Sequence, residues 1–222
     1  MRILHHHPLS AASRMIRVQL GEKGLDFAVE AERPWERRPG FLALNPAAEV
    51  PILVEPDGAV VVGAPAIAEF IEETHPEPPL IGRAVAERAE VRRLVDWFSA
   101  KFAREVTANL VEEKLFKRLS GLGGPDSNAL RAGRTNIRLH LDYIAWLTVR
   151  RRWLGGDDFS LADIAAAAHL SAVDYLGDVP WEDQADAKDW YARVKSRPSF
   201  RPLLADLLPG TPPPPHYADL DF

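Results

Sequence analysis

The sequence predicts an α+β N-terminal domain followed by an all-helical C-terminal domain. The first ~75 residues alternate β-rich runs with amphipathic helical runs, whereas almost everything after residue 83 has helical periodicity. Between the two, "PEPPLIG" (76–82) interrupts both patterns and is the best domain boundary. We therefore expect domains at 1–77 and 83–208. Residues 209–222 contain five prolines within 209–215 and are expected to form a Pro-rich extended tail.

The N-terminal elements follow the order β-α-β-loop-ββ-α. "RILHHH" (2–7) is a short strand candidate, and residues 8–24 read as a helix that Ser10 can cap. Residues 26–32 form a second strand candidate, and 33–49 read as loop or irregular helix. Residues 51–63 have the pattern of a hairpin that turns at 56–58, and 65–75 predict a helix.

Helical stripes define the C-terminal domain. Two stripes of apolar residues at helical spacing predict two helices separated by a glycine-rich break at 121–125: Val91, Val95, Phe98 and Phe102, then Ile137, Leu141 and Ile144. Residues 159–176 are nearly all small and apolar, which predicts a central buried helix. Ser160 and Asp163 have capping-box spacing, so Asp163 is expected to be structural rather than catalytic. Two short helices are expected at about 184–195 and 199–208.

The composition limits the classes of function. The chain has 222 residues, 46% hydrophobic and 27% charged, with a net charge of -5 and no cysteine. The charge gives no sign of a nucleic-acid binder, and the missing cysteines exclude disulfides and a cysteine nucleophile. No apolar run reaches the ~18 residues of a membrane span. We expect a cytoplasmic protein without nucleic-acid binding or membrane insertion.

Three consecutive histidines end the first strand. On a strand, His5 and His7 share one face and His6 the other. Two histidines on one face can contribute to a metal site, but no carboxylate cluster lies nearby in the sequence. We expect no metal here, and a role for the histidines at the strand end or in a pocket.

Four motifs occur in the order and spacing of a known family. They are "HPLSAASRMIRVQLGEKGL" (7–25), "NPAAEVPILVEPDG" (45–58), "APAIAEFIEETHP" (64–76) and "FSLADIA" (159–165). Over about residues 1–208 the chain resembles the glutathione transferase superfamily. That resemblance implies a thioredoxin-like first domain, an all-α second domain and frequent homodimerisation.

The resemblance also implies roles for three residues. Pro51 matches the proline whose preceding peptide bond is cis in this fold, and Val50 matches the residue whose backbone pairs with the cysteinyl part of glutathione. Ser10 matches the serine that activates the glutathione sulfur in some classes. A hydroxyl at a helix N-terminus favours a thiolate, but a plain N-cap role for Ser10 remains the alternative.

The start of the helix at residue 64 departs from the family pattern. Members that use glutathione usually carry an acidic residue followed by Ser, where this chain has Gly63-Ala64. These side chains hold the charged γ-glutamyl end, and hydrogen bonds to charged groups contribute about 1.5–3 kcal/mol each. Losing two corresponds to about 10² to 10⁴ in affinity. The glutathione positions Ser10, Val50, Pro51, Gly63 and Ala64 are therefore interpreted as vestigial, with no cofactor and no catalytic residue expected.

The whole chain resembles, more narrowly, the transferase-like division proteins of alphaproteobacteria that bind the tubulin-like GTPase FtsZ. This implies a non-catalytic protein at the division site that binds FtsZ filaments at midcell and supports constriction. A homodimer, and a second division partner at the C-terminal tail, are further expectations. The alternatives are a glutathione transferase or isomerase with Ser10 activating the thiol, and a generic transferase-like adaptor.

Two segments offer candidate partner-binding residues. The loop "RPWERRPGF" (33–41) carries Trp35, Arg37 and Arg38, residue types enriched at interface hot spots. The tail carries Tyr217, Leu220 and Phe222 on a Pro-stiffened segment. Either set can instead pack on its own domain. If the tail projects, removing 209–222 leaves the fold intact.

Arginines cluster in two further places. Arg131, Arg134 and Arg138 lie about one turn apart, and Arg150, Arg151 and Arg152 are consecutive. A solvated face explains both clusters, and electrostatic attraction of an acidic filament is the functional alternative.

Overall fold

The computed structural model describes residues 1–220 and has the two-part architecture that the sequence predicts. The N-terminal part contains a four-stranded sheet with the order β2-β1-β3-β4, built from β1 (Arg2–His6), β2 (Phe27–Ala31), β3 (Ile52–Val54) and β4 (Val60–Val62). Strands β1 and β2 are parallel, and β3 is antiparallel to both β1 and β4. The predicted hairpin is thus confirmed.

Three helices accompany the sheet: α1 (Ala11–Glu22), α2 (Pro39–Leu44) and α3 (Ala64–Thr74). Ser10 caps α1, because its side chain accepts a hydrogen bond from the Ser13 N–H at 3.3 Å. A short 3-10 turn, Pro34–Glu36, precedes α2 in the region expected to be irregular. Gly63 is the N-cap residue of helix α3. It has no side-chain oxygen, and the helix accordingly has no side-chain cap.

The C-terminal part is helical throughout its regular structure. A long helix, α4, has three consecutive segments, Val85–Asp96, Trp97–Phe116 and Lys117–Leu119, the middle one with π-type hydrogen bonding. It is followed by α5 (Ser127–Thr148), α6 (Leu161–Asp174), α7 (Ala185–Lys195) and α8 (Arg201–Leu204). Both predicted apolar stripes face the core between these helices, and all of their residues except the partly buried Val95 are buried. The last helix is shorter than expected, since residues 205–208 are not helical.

Helix α6 is the centre of the core. Every one of its residues is buried, and it packs against α1, which joins the two parts of the molecule. The capping box is present: Asp163 Oδ2 accepts from the Ser160 N–H at 3.1 Å, and Oδ1 accepts from Trp190 Nε1 at 2.9 Å. Burial raises the pKa of Asp163 to about 6. Asp163 is therefore a structural residue, as predicted.

The described part of the tail lies on the body of the protein. Tyr217 is fully buried, and its hydroxyl accepts a hydrogen bond from Arg14 Nη1 at 2.8 Å. The Tyr175 hydroxyl donates to the Thr211 carbonyl at 2.8 Å, and His216 pairs with buried Asp174. The expectation of an extended, projecting tail is therefore wrong for residues 209–220, because buried partners on α1 and α6 hold the segment. Phe222 lies outside the described residues.

Among residues 1–220, none of the helices combines the length and apolar composition that crossing a membrane requires.

Candidate functional site

A cleft of about 1010 Å³ separates the N-terminal sheet region from α4. The start of α1, the loop before α2, the segment before β3 and the start of α3 form one wall. Helix α4 and His169 of α6 form the other. Of the residues matched to the glutathione site or proposed for partner binding, six meet here: Ser10, Trp35, Arg37, Val50, Gly63 and Ala64.

An aromatic cluster lines one end of the cleft. His7 makes edge-on contacts with Trp35 at 5.6 Å and with Phe116 of α4 at 4.8 Å between ring centroids. The Leu9 N–H donates to His7 Nδ1 at 3.2 Å, which leaves that nitrogen as an acceptor. Burial, together with Arg14 and Arg33, lowers the pKa of His7 to about 4. His7 is neutral near pH 7, in the pocket role expected of the histidine run.

Ser10 combines its helix cap with a position on the cleft wall. Its hydroxyl therefore lies at the positive end of the α1 dipole, where an anionic sulfur would be stabilised. The hydroxyl oxygen accepts from Ser13 N–H, and it can still donate its own proton to a ligand. The N-cap role is observed, and the geometry is compatible with thiol binding as well.

The other glutathione positions of the family lie in the segments before β3 and at the start of α3. The Val50–Pro51 peptide bond is cis, as the resemblance implies, and Val50 lines the cleft. The Gly63 N–H is already used by the Pro51 carbonyl at 3.0 Å, and Pro65 has no N–H. Ala64, which is buried, is left to offer a backbone donor at the start of α3. Side-chain ligands for a γ-glutamyl group are absent at Gly63 and Ala64.

Helix α4 supplies cleft residues that sequence reasoning missed. Arg104 and Glu112 line the cleft, and both are exposed. Although the residue as a whole is exposed, partial desolvation of the Glu112 carboxyl in the cleft raises its pKa. The signal for this face was the spacing of Ala100, Ala103 and Ala108, small residues on one side of a helix that leave room for a cleft.

Buried His169 forms the floor where α4 and α6 meet. Its Nδ1 lies 2.9 Å from the Thr107 hydroxyl oxygen, and both residues line the cleft. Burial lowers the pKa of His169 to about 4. Together with Arg37 and Arg104 at the rim, this gives a cleft with a neutral floor and a mixed-charge edge.

Arg38 lies outside the cleft and is bound to its own domain. Its Nη2 is 2.7 Å from both carboxylate oxygens of Glu32, and this hydrogen bonding raises the pKa of Arg38. Glu32 also lies 3.1 Å from His5 Nδ1, with Glu30 nearby on β2. The ligand atoms of His5, Glu30 and Glu32 lie within 4.8 Å of one another. Parallel pairing of β1 with β2 creates this group, so reasoning from neighbours along the sequence did not find it.

The tail candidates are also remote from the cleft. Tyr217 is buried against Arg14 and Tyr175, and Leu220 packs against the hydrophobic core. Neither residue lines the cleft. Of the two basic clusters, Arg134 and Arg138 pair with Asp178 and Asp183.

The structure joins a thioredoxin-like sheet, with a cis-proline beside the cleft, to a helical domain. This combination is the one that the glutathione transferase resemblance implied, and comparison with known families agrees with it. Residues 9–74 match the glutathione S-transferase N-terminal domain, and residues 128–198 match the glutathione S-transferase C-terminal domain. The chain belongs to the glutathione S-transferase superfamily.

Individual relatives narrow this placement. The chain is 54% identical over 224 residues to "FtsZ-localized protein A" of Caulobacter vibrioides, covering 100% of this chain and 98% of that protein. A solved structure of FzlA from C. crescentus matches with a TM-score of 0.97 over 100% of this chain and 99% of that one. A solved glutathione S-transferase from Rhodospirillum rubrum F11 is 58% identical, with a TM-score of 0.98 and full coverage of both chains.

Proposed function

We propose that this protein is a non-catalytic, transferase-like cell-division protein that binds FtsZ filaments at midcell and supports constriction. The observation that carries the proposal is the 54% identity, over the full chain, to a protein named for its localisation with FtsZ. Sequence and structure agree over both domains and the described tail, so the similarity extends well beyond a shared fold.

The cleft supports a non-catalytic role. The fold-forming cis-proline is kept, while the residues that would hold the γ-glutamyl end are Gly63 and Ala64. Hydrogen bonds to charged groups contribute about 1.5–3 kcal/mol each. A site without two of them binds glutathione about 10² to 10⁴ more weakly than a complete site.

The rim of the cleft is the proposed FtsZ contact. Trp35 is half-buried there, and Arg37 is exposed with no ion pair to any residue in 1–220. A fixed aromatic side chain next to an available guanidinium is the usual chemistry of an interface hot spot. Because Arg38 is bound to Glu32, we assign it a supporting role in holding the loop rather than a direct contact.

Co-sedimentation with GTP-assembled FtsZ tests the proposal. Trp35→Ala is expected to weaken pelleting about thirtyfold, which corresponds to a hot-spot loss of about 2 kcal/mol. Arg37→Glu is expected to weaken it and to reduce its dependence on salt. The matched controls are Trp146→Ala and Arg152→Glu, exposed residues of the same types away from the cleft. Failure of the wild-type chain to pellet at micromolar concentration and low salt would refute the proposal.

A second candidate function is a glutathione transferase or isomerase. The specific observation in its favour is the Ser10 hydroxyl on the wall of an open cleft, at the N-terminus of α1. A glutathione titration by calorimetry separates the two functions. Micromolar binding that Ser10→Ala abolishes would establish the transferase, whereas millimolar or weaker binding is the result expected here. A generic transferase-like adaptor would bind neither glutathione nor FtsZ.

We extend the proposal to a cytoplasmic homodimer at the division site. Two copies would present two cleft rims to one filament and raise its avidity. A second division partner at the tail would have to contact residues other than Tyr217, whose side chain is fully buried. Sedimentation equilibrium tests the dimer, with a monomer at micromolar concentration as the contrary result.

A further inference from the structure

Strands β1 and β2 bring a histidine and two glutamates onto one face of the sheet. His5 pairs with Glu30 in the parallel register, and Glu32 is two residues further along the chain, so the three side chains share a face. The Glu32 N–H donates to the His6 carbonyl at 2.7 Å, which continues the strand pairing one residue beyond β2. The sheet therefore fixes the backbone of this group. We call His5, Glu30 and Glu32 the His5 cluster.

The ligand atoms of the His5 cluster have nearly the separations that a tetrahedral metal site requires. His5 Nδ1 lies 3.1 Å from Glu32 Oε1 and 3.4 Å from Glu30 Oε2, and the three atoms lie within 4.8 Å of one another. Zinc binds imidazole nitrogen and carboxylate oxygen at about 2.0–2.2 Å, and tetrahedral angles then place neighbouring ligand atoms about 3.3–3.6 Å apart. Only the two carboxylates have to approach each other to complete this geometry.

The cluster combines two shielded ligands with one open ligand. The side chains of His5 and Glu32 are 11% and 3% exposed, whereas that of Glu30 is 55% exposed. The shielded pair is ordered before an ion arrives, and the open side at Glu30 provides the entry path that a metal site needs. Water from that side can complete a four-coordinate site.

The two carboxylates of the cluster are unequally neutralised. Glu32 is paired with Arg38, whose Nη2 lies 2.7 Å from both carboxylate oxygens. Glu30 has no ion pair with a lysine or arginine within residues 1–220. A divalent cation balances both carboxylates at once. The Arg38 side chain is 55% exposed, so it can move into solvent when an ion takes its place.

The chemistry of the donor atoms selects the metal. Magnesium and calcium take six or more oxygen ligands, and magnesium keeps several of its waters. One imidazole nitrogen and two carboxylate oxygens instead suit a borderline-soft ion with low coordination number, which is the description of zinc. The chain contains no cysteine, so nitrogen and oxygen are the donors that its side chains offer to zinc.

We propose that His5, Glu30 and Glu32 form a zinc site at the edge of the N-terminal sheet. His5 Nδ1 is the nitrogen ligand, and the neutral ring then carries its hydrogen on Nε2. Glu30 and Glu32 supply one oxygen each, and Arg38 leaves Glu32 when zinc binds. The expectation of no metal rested on carboxylates being absent nearby in the sequence, whereas strand pairing brings two of them to His5.

The alternative is an ion-pair network in which Arg38, Glu32 and His5 only hold the loop before α2. In that network Arg38 is a structural partner of Glu32, whereas in a zinc site it competes with the metal. Arg38→Gln therefore distinguishes the two. Removing the competing cation is expected to tighten zinc binding at least about threefold, the equivalent of a partly exposed ion pair.

Calorimetric titration of the tag-free full chain with zinc chloride tests the proposal. One zinc ion per chain is expected to bind saturably, without competition from magnesium at millimolar concentration. Glu30→Gln changes the exposed ligand and is expected to weaken zinc binding at least about tenfold, because even residues that only support a metal ligand contribute that much. His5→Gln is expected to weaken binding at least as much.

Matched variants separate the cluster from general surface binding. Glu182→Gln removes an exposed carboxylate of the helical domain, and His75→Gln removes a histidine outside the cluster; neither is expected to change the affinity for zinc. Cobalt(II) in place of zinc is expected to give the intense visible absorption of tetrahedral coordination in the wild type and to lose it in Glu30→Gln. Circular dichroism checks that each variant is folded.

Melting temperature provides a second measure of specific binding. At a free zinc concentration ten times its dissociation constant, the wild-type chain is expected to melt about 3–6 °C higher. Under the same conditions the shift is expected to be retained in Glu182→Gln and to shrink in Glu30→Gln.

Four results would overturn the proposal. The first two are no saturable zinc binding up to about 100 μM and equal losses in Glu30→Gln and Glu182→Gln. The others are binding that His75→Gln abolishes and an affinity for zinc that is unchanged or lower in Arg38→Gln. None of these results bears on the proposed FtsZ contact, which depends on Trp35 and Arg37 and is measured by co-sedimentation.

Discussion

Removing the Tyr217 hydroxyl tests whether the tail is part of the fold. Tyr217 is fully buried, its hydroxyl accepts from Arg14 Nη1 at 2.8 Å, and it donates to the Leu203 carbonyl at 3.2 Å. Arg14 is itself fully buried, and Ser171 Oγ is the other acceptor of Nη1, at 2.8 Å. Tyr217→Phe therefore removes one of the two acceptors of Nη1, while Nε keeps its bond to the Pro8 carbonyl at 2.6 Å.

The cost of Tyr217→Phe follows from that hydrogen bond. A bond to a charged group contributes about 1.5–3 kcal/mol. In a chain of this length, 1 kcal/mol shifts the melting temperature by about 2–4 °C, so a fall of about 3–12 °C is expected. Removal of 209–222 should lower the melting temperature further, which reverses the expectation drawn from the sequence that the fold would be unaffected.

Scanning calorimetry tests this prediction by comparing Tyr217→Phe with the same substitution at a second tyrosine. Tyr143 is the matched tyrosine, because its hydroxyl accepts a hydrogen bond from Arg93 at the exposed surface. Tyr143→Phe is expected to change stability by about 0.5 kcal/mol or less. If Tyr217→Phe melts within about 1 °C of Tyr143→Phe, the reasoning is wrong, and the tail is not a structural element.

Three further predictions concern the helix packing, the buried histidine and the cleft. A Cβ at Gly133 would lie 2.7 Å from a side chain of α4, whereas at Gly40 it would meet nothing within 4 Å. Gly133→Ala should therefore destabilise by about 1–3 kcal/mol in urea unfolding, and Gly40→Ala should not. The pKa of His169, lowered from 6.5 to about 4 by burial, means that its contribution to stability is complete above pH 6.5 and is lost as the pH falls toward 4. His169→Gln should remove up to about 3 kcal/mol of that pH dependence, and an unchanged slope would contradict this. Gly63→Glu combined with Ala64→Ser should tighten glutathione binding at least about tenfold by calorimetry, because two charged-group hydrogen bonds outweigh a strain of about 1–2 kcal/mol at positive φ; no gain would show that the weakness lies elsewhere.

Prediction from the sequence succeeded where the signal is local. The hairpin at 51–63, the stripes on α4 and α5, and the buried helix α6 all follow from periodicity within one element. The capping box of α6 needs only residues three apart, so it was also identified. The family resemblance assigned Ser10, Val50 and Gly63 to one ligand site. The structure places all three on the wall of the same cleft, as a shared fold requires.

The sequence failed where a residue's partner is distant along the chain. Tyr217 looked like a displayed aromatic residue because its partner Arg14 is 203 positions away. Arg38 is a different case: its partner Glu32 is only 6 positions away, but the turn at Pro34–Glu36 that lies between them was expected only as irregular structure, so their contact was not predicted. Arg104 was not identified, since only the assembled cleft shows which side of α4 faces the N-terminal domain.

By itself, the sequence determined two domains, their elements and the loss of side-chain ligands at Gly63-Ala64, because each depends on hydrophobic spacing or on residue identity at one place. Only the tertiary structure decided that the tail is docked, that the cleft is edged by Arg37 and Arg104, and that His5 lies beside Glu30 and Glu32. The reason is that burial and ion pairing depend on groups far apart in the chain, and a linear pattern does not contain their distances.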